Sequence, residues 1–242
     1  MVTRIIVDSE KELAATGSEL IVSEAERCAS LKGGFSIALS GGKTPRPMHG
    51  LLSKEPFLSE MPWDKTDFFW VDERCVPIQN RQSNYGNAKR DFLDKAPVRP
   101  GNVHPMPGEM DPETGAREYG EFLIDFFSLS EGQIPVFDLI FLGIGEDGHT
   151  ASLFPGHDVL DEKERPAAAL TGGEPPLDRI TLTLPVINRA KKVVFMVSGK
   201  SKAGIIKKLF GPNSHDLPAL KVRPSDGELV WLLDSDAVSL IE

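Results

Sequence analysis

Only two cysteines occur in this 242-residue chain, Cys28 and Cys75, far apart and without metal-ligand or redox-pair spacing. A disulfide framework is therefore excluded as the organising device, and both read as reduced thiols. Positive charge is also scarce: 27 Lys and Arg against 36 Asp and Glu leave a formal net charge of -9 and a pI near 5.2. The resulting negative field disfavours nonspecific attraction to nucleic acid or an anionic membrane, so neither is expected as a partner. An anionic ligand would have to find a local basic pocket. Long apolar runs are missing: no stretch reaches the roughly 18 residues of a membrane span. The opening MVTRIIVDSEKE turns acidic after a short apolar run, unlike a secretory leader, so a cytoplasmic location is expected. His49, His104, His157 and His215 show no HExxH or Cys/His spacing, so no metal is expected. No GxSxG elbow is present for a serine nucleophile, which leaves water as the nucleophile in a hydrolytic reading.

With 40% hydrophobic and 26% charged residues, the chain can bury a sizeable core, and without repeat or clear linker it is read as one α/β domain over 1–242. Residues 3–7 alternate weakly, like an edge strand. Ser9 and Glu12 form a capping box for a helix with Leu13, Leu20, Ile21, Cys28 and Leu31 at helical spacing, stopped by Gly33-Gly34. FSIALS is then a buried strand, and a helix starts with Thr44 as N-cap and Pro45 in its first turn. Further strands are read at 66–71, 137–145, RITLTLP, KKVVFMVSG and ELVWLLD, with helices at 84–93, across the stripe Tyr119, Phe122, Leu123, Phe126 and Phe127, and at 201–210. Two stretches, 96–112 and 158–176, read as irregular, the second as a mobile loop. Strands alternating with helices imply a three-layer α/β/α sandwich on a mostly parallel sheet.

Four strands end in polar residues, and in open α/β sheets ligands bind beyond the carboxyl ends of strands. FSIALSGGKTP ends in Ser40 to Thr44, where Gly41 and Gly42 free backbone N–H groups to cradle an anion; the plainer alternative is an ordinary turn. TDFFWVDER ends in Asp72 and Arg74, an acceptor beside a fork suited to phosphate, carboxylate or an oxyanion, or else a structural ion pair. FDLIFLGIGEDGHTASLFP presents Asp147 and His149 together, and histidine can take a proton from water near neutral pH when a carboxylate orients it. An isolated histidine would more readily be a surface or capping residue. KKVVFMVSGKSK supplies Ser198, Gly199 and the cation Lys202, while Arg179 at the start of RITLTLP is a further candidate cation or a surface residue. GIGEDG formally matches a dinucleotide fingerprint, but Pro155 and Gly156 interrupt the helix it should open, and no acidic residue closes a second strand. No cofactor is expected.

The segments ALSGGKTP, WVDERCVP with QSNYGNA, FLGIGEDGHTASLFPG, RITLTLPVIN and VSGKSKA together resemble the 6-phosphogluconolactonase family, in this order and across nearly the whole chain. The resemblance implies a Rossmann-like α/β fold shared with glucosamine-6-phosphate deaminases, which carry similar SGG-TP and GxGxDGH segments. After the histidine those deaminases continue with Asn-Glu-Pro, whose glutamate relays protons; here the chain reads Thr150-Ala151-Ser152-Leu153-Phe154-Pro155. Carried onto these positions, the resemblance implies a phosphorylated sugar lactone as substrate, its phosphate bound by Ser40, Gly41, Gly42, Thr44 and Lys202, with Arg179 as an added candidate. His149 matches the general base, and Asp72 and Arg74 match the DER segment, Asp72 being expected to position Arg74; Asp147 completes the expected catalytic set. Hydrolysis of 6-phospho-D-glucono-1,5-lactone in the oxidative pentose phosphate pathway is the leading expectation, by a monomer or weak homodimer. A deaminase or isomerase on the same scaffold, and a non-catalytic sugar-phosphate sensor, remain open alternatives.

Overall fold

The computed structural model describes residues 2–211 and 216–241, so His215 lies outside the described residues. In chain order the strands are β1 (Val2–Val7), β2 (Phe35–Leu39), β3 (Thr66–Trp70), β4 (Asp72–Arg74), β5 (Val103–His104), β6 (Leu139–Leu142), β7 (Ala167–Gly172), β8 (Leu177–Leu182), β9 (Lys192–Val197) and β10 (Glu228–Asp234). The helices are α1 (Glu10–Lys32), α2 (Arg46–Leu52), α3 (Phe57–Glu60), α4 (Asn84–Ala88), α5 (Pro112–Phe126), α6 (Leu184–Arg189) and α7 (Ala203–Phe210). Seven strands form one parallel sheet in the order β1-β10-β9-β6-β2-β3-β5. A second, antiparallel sheet has the order β4-β8-β7.

The apolar runs of the central strands are continuous because both faces of the parallel sheet are covered. Val193, Phe195 and Val197 of β9 point into one core with α5, α6 and α7; Val194 and Met196 point into the other with α1 and α2. This is the expected three-layer α/β/α arrangement. The capping of α1 also follows the sequence: the Ser9 hydroxyl accepts from Glu12 N–H, the Glu12 carboxylate accepts from Asp8 N–H, and Gly33 ends the helix at φ 84°. Among the described residues no helix is long and apolar enough to cross a membrane. Burial raises both thiols above their ordinary range, Cys75 to about 11, which leaves them in the unreactive protonated form at neutral pH.

Strand order places the site. From β2 the chain moves to β3 and β5 on one side and then returns to β6 on the other, so the β2–β6 boundary is where the winding direction reverses. Loops leaving adjacent strands at such a boundary diverge and open a crevice. Val71 joins the two sheets: its N–H donates to Leu39 O at 3.0 Å in the large sheet, and its carbonyl accepts from Leu182 N–H at 2.8 Å in the small one.

Several expectations need correction. The stretch 158–176 is not a loop throughout: Ala167–Gly172 is a strand paired residue by residue with β8. Its alternation is weak because Ala167, Ala168 and Ala169 carry little apolar signal. RITLTLP is only partly a strand, since Leu184 with a following proline starts α6. Helix α2 begins one residue later than expected, with Pro45 rather than Thr44 at the cap, because Lys43 O and Arg46 N–H already close a turn at 3.3 Å. The aromatic stripe of α5 is divided: Tyr119 and Leu123 are buried, while Phe122 and Phe126 are more than a third exposed and pack around His104.

Candidate active site

The turn after β2 runs from buried Ser40 through Gly41 to the exposed Gly42 and Lys43. Gly42 adopts φ 89°, which side-chain-bearing residues rarely reach. Gly41 is required by contact: a Cβ there would fall 1.8 Å from Asn84 Oδ1. Ser40 is buried at the end of the strand. Ser198 and Gly199 follow β9, the next strand but one from β2, and Asp234 at the end of β10 accepts from the Ser198 hydroxyl and from Gly199 N–H, which fixes the turn leading to Lys202. Ser40, Gly41, Gly42, Thr44 and Lys202 all line one cleft of about 520 Å³.

The turn after β6 reaches the same cleft with titratable side chains. Asp147 Oδ1 lies 2.6 Å from His149 Nδ1 and accepts from His149 N–H at 3.1 Å. A carboxylate can only accept, so in the neutral ring the proton sits on Nδ1 and the Nε2 lone pair is free. Gly145 makes room for the pair, since a Cβ there would stand 2.1 Å from His149 Nδ1 and 2.5 Å from Asp147 Oδ1. The turn is closed by Gly145 N–H to His149 O at 2.8 Å and Gly148 N–H to Gly145 O at 3.0 Å. His149 lines the cleft with Gly143 and Gly145. Asp147 stands behind it.

Asp72 and Arg74 enter the cleft from the start of the small sheet. Asp72 does not position Arg74. Its Oδ2 accepts from Ser152 Oγ at 2.7 Å and lies 3.8 Å from Arg179 Nη1, and its Oδ1 accepts from Asn84 Nδ2 at 3.0 Å. The reason is strand geometry: Arg74 is two residues along the same extended strand, whereas Arg179 lies diagonally across the β4–β8 ladder. Arg74 is instead anchored through Nη1 to Gln82 O at 2.7 Å. Nor does the structure bring Arg179 to the cradle; its guanidinium is buried behind Asp72, because β8 carries it into the small sheet. Among the described residues no group of three His, Cys, Asp or Glu side chains is arranged to hold a metal ion.

A family model described as glucosamine-6-phosphate isomerases/6-phosphogluconolactonase matches residues 8–231. The chain belongs to this family. It is 40% identical over 231 residues to the 6-phosphogluconolactonase of Synechocystis sp., covering 94% of this chain and 91% of that one. It is 35% identical over 243 residues to the 6-phosphogluconolactonase of Rattus norvegicus, covering 98% and 92%. The solved 6-phosphogluconolactonase of Trypanosoma brucei matches with a TM-score of 0.89 at 28% identity, covering all of this chain and 99% of that one.

Within the family frame, several residues at the site escaped sequence reasoning. Asn84, Ser152 and Asp234 are buried polar groups that hold the cleft's walls from behind, and nothing in their local spacing points to a partner 80 or 36 residues away. Glu73 had a local signal. It alternates with Asp72 and Arg74, so it faces away from them, and its carboxylate accepts from the N–H groups of Arg74, Asn84 and Tyr85 and from Ser83 Oγ. Burial pushes the Glu73 carboxyl upward while these backbone donors oppose the shift. The result is that the loop 75–83 is folded back so that Asn84 reaches Asp72.

Proposed function

We propose that this chain hydrolyses 6-phospho-D-glucono-1,5-lactone to 6-phospho-D-gluconate, as a step of the oxidative pentose phosphate pathway. The observation that carries the reading is one cleft lined by both the SGGKT turn and His149. Relatives named 6-phosphogluconolactonase over nearly the whole chain support it.

In this reading Ser40, Gly41, Gly42, Thr44 and Lys202 hold the phosphate through backbone N–H groups and one ammonium. With the phosphate fixed, the lactone carbonyl is held near His149, so orientation lowers the barrier before any proton moves. Nε2 of His149 takes a proton from water, the hydroxide attacks C1, and Arg74 stabilises the tetrahedral oxyanion. Collapse breaks the bond from C1 to the ring oxygen, which leaves with the proton from the imidazolium. Asp147 holds the ring in the tautomer that starts the cycle. Asp72, an acceptor on the cleft wall, orients the sugar through a hydroxyl. The step uses only water and these side chains, so the proposal names no cofactor. It treats residues 1–242 as one unit acting in the cytoplasm as a monomer or weak homodimer.

The test is acid release from freshly generated lactone, measured against its spontaneous opening. Acceleration that disappears in a folded His149→Ala variant is the expected result. Binding of 6-phosphogluconate without acceleration would replace the reading by a sensor. Ammonia release from glucosamine 6-phosphate would replace it by a deaminase; Ala151, not a carboxylate, lines the cleft just after His149.

A further inference from the structure

We propose that Arg179 is a positioning residue for His149, acting through Phe154, and not a ligand of the substrate phosphate. The inference rests on the reading of His149 as the base and extends it. Arg179 sits on β8 opposite Arg74 and Leu170, with its side chain 10% exposed. Every contact of its guanidinium is internal. Nε donates to Gly172 O at 3.0 Å, Nη1 to Ser152 Oγ at 3.4 Å, and Nη1 stands 3.8 Å from Asp72 Oδ2. The same guanidinium carbon lies 5.4 Å from the centre of the Phe154 ring.

Phe154 is the link. Its ring centroid is 4.5 Å from that of His149, inclined by 42°. It also presses against the end of β7, where a Cβ on Gly172 would fall 2.7 Å from the ring. Gly173 is equally constrained, since a Cβ there would stand 2.5 Å from Arg179 Nη2. Thus Phe154 neighbours both the imidazole and the Arg179–Gly172 corner. Asp147 restrains one edge of the imidazole, but its carboxylate is half exposed and open to competition from water. A single hydrogen bond also leaves rotation about the ring's terminal torsion broad. Contact with a braced aromatic face removes that freedom. The β7–β8 hairpin, whose first strand falls in the stretch expected as a mobile loop, becomes a fixed support.

Four variants test this with two readouts: steady-state kinetics with the lactone, and the ring ¹⁵N signals of His149 in the substrate-free protein, assigned by their loss in His149→Ala. Arg179→Met and Phe154→Leu should each lower kcat by about 10- to 100-fold with KM changed less than about threefold, the size expected when a reacting group is misplaced rather than removed. Their His149 signals should move from a single Nδ1–H tautomer to an average of two. Phe154→Tyr keeps the ring face and should restore both readouts, while Arg179→Lys, lacking the planar fork, should restore them only in part. A rise in KM with kcat and ring signals unchanged would make Arg179 a phosphate ligand and overturn the proposal. So would a fall in kcat with the ring signals unmoved. If Arg179→Met does not fold, Phe154→Leu decides. If the wild-type protein does not accelerate lactone opening, the function proposed above fails, yet the ring signals still decide whether the brace exists.

Discussion

The turns after β2 and β6 leave neighbouring parallel strands at the same end of the sheet, and both are glycine-rich, yet they present different chemistry. The first lines the cleft with the adjacent glycines Gly41 and Gly42, whose backbone N–H groups carry no side chain in front of them, and Gly41 is pressed against Asn84. The second offers side chains, with Gly145 absent of a Cβ so that Asp147 and His149 can meet. Gly41 and Gly145 both yield space to a neighbour, Asn84 in one turn and the Asp147–His149 pair in the other, while Gly42, at φ 89°, turns the main chain itself toward the cleft. The division suggests that grip on the phosphate and proton transfer can be damaged separately.

The largest effect should come from the β6 side: His149→Ala should lower kcat by about 10²–10⁴-fold, the usual cost of losing a general base. Wild-type turnover in that variant would end the comparison. Gly145→Ala should be next, since its methyl group displaces the Asp147–His149 pair; displacement of about 1 Å commonly costs about 10²-fold, here in kcat with KM nearly unchanged. Lys202→Ala should do the reverse, raising KM by roughly 10-fold or more through one lost charged hydrogen bond while sparing kcat. Kinetic assays on the three variants read the division directly; a fall in kcat alone for Lys202→Ala would dissolve it.

The smallest effect concerns stability, on the side of the cradle. His49 of α2 is buried against Phe92 with Nε2 unpartnered, and burial pulls its pKa down to about 4, Asp91 opposing and Arg46 adding to the shift. Between the ordinary histidine range and pH 4 the unfolded chain therefore binds a proton that the folded one refuses. Stability contributed by this group is intact at pH 7 and is lost as pH falls, by about 2 kcal/mol at pH 5. Denaturant titrations at pH 7 and 5 should show that loss shrinking by a similar amount in His49→Gln.

Much of the layout was legible because it is written in local patterns. Apolar runs of five or six residues marked β2, β3, β9 and β10, Ser9 and Gly33 marked the ends of α1, and glycines marked the turns. What lay hidden depends on contact across distance. Asp72 could be seen at a strand end, but its partners Ser152, Asn84 and Arg179 come from separate elements. Arg179 was visible only as a cation near a strand start; whether it faced the ligand or the interior depended on β8 joining the small sheet, which its own residues do not specify. Residues 167–172 were hidden for another reason: a run of alanines satisfies a strand without announcing one.

The pairing of β1 with β10 has a consequence for biosynthesis. β1 is an edge strand whose hydrogen-bonded neighbour in the sheet is β10, with Val2 opposite Leu229. During translation the first strand therefore emerges long before its mate, and the sheet's last gap closes only when Glu228–Asp234 has left the ribosome. Such late, high-contact-order closure favours slow folding, and a nascent chain that stalls earlier would leave two unpaired strand edges for other chains to find.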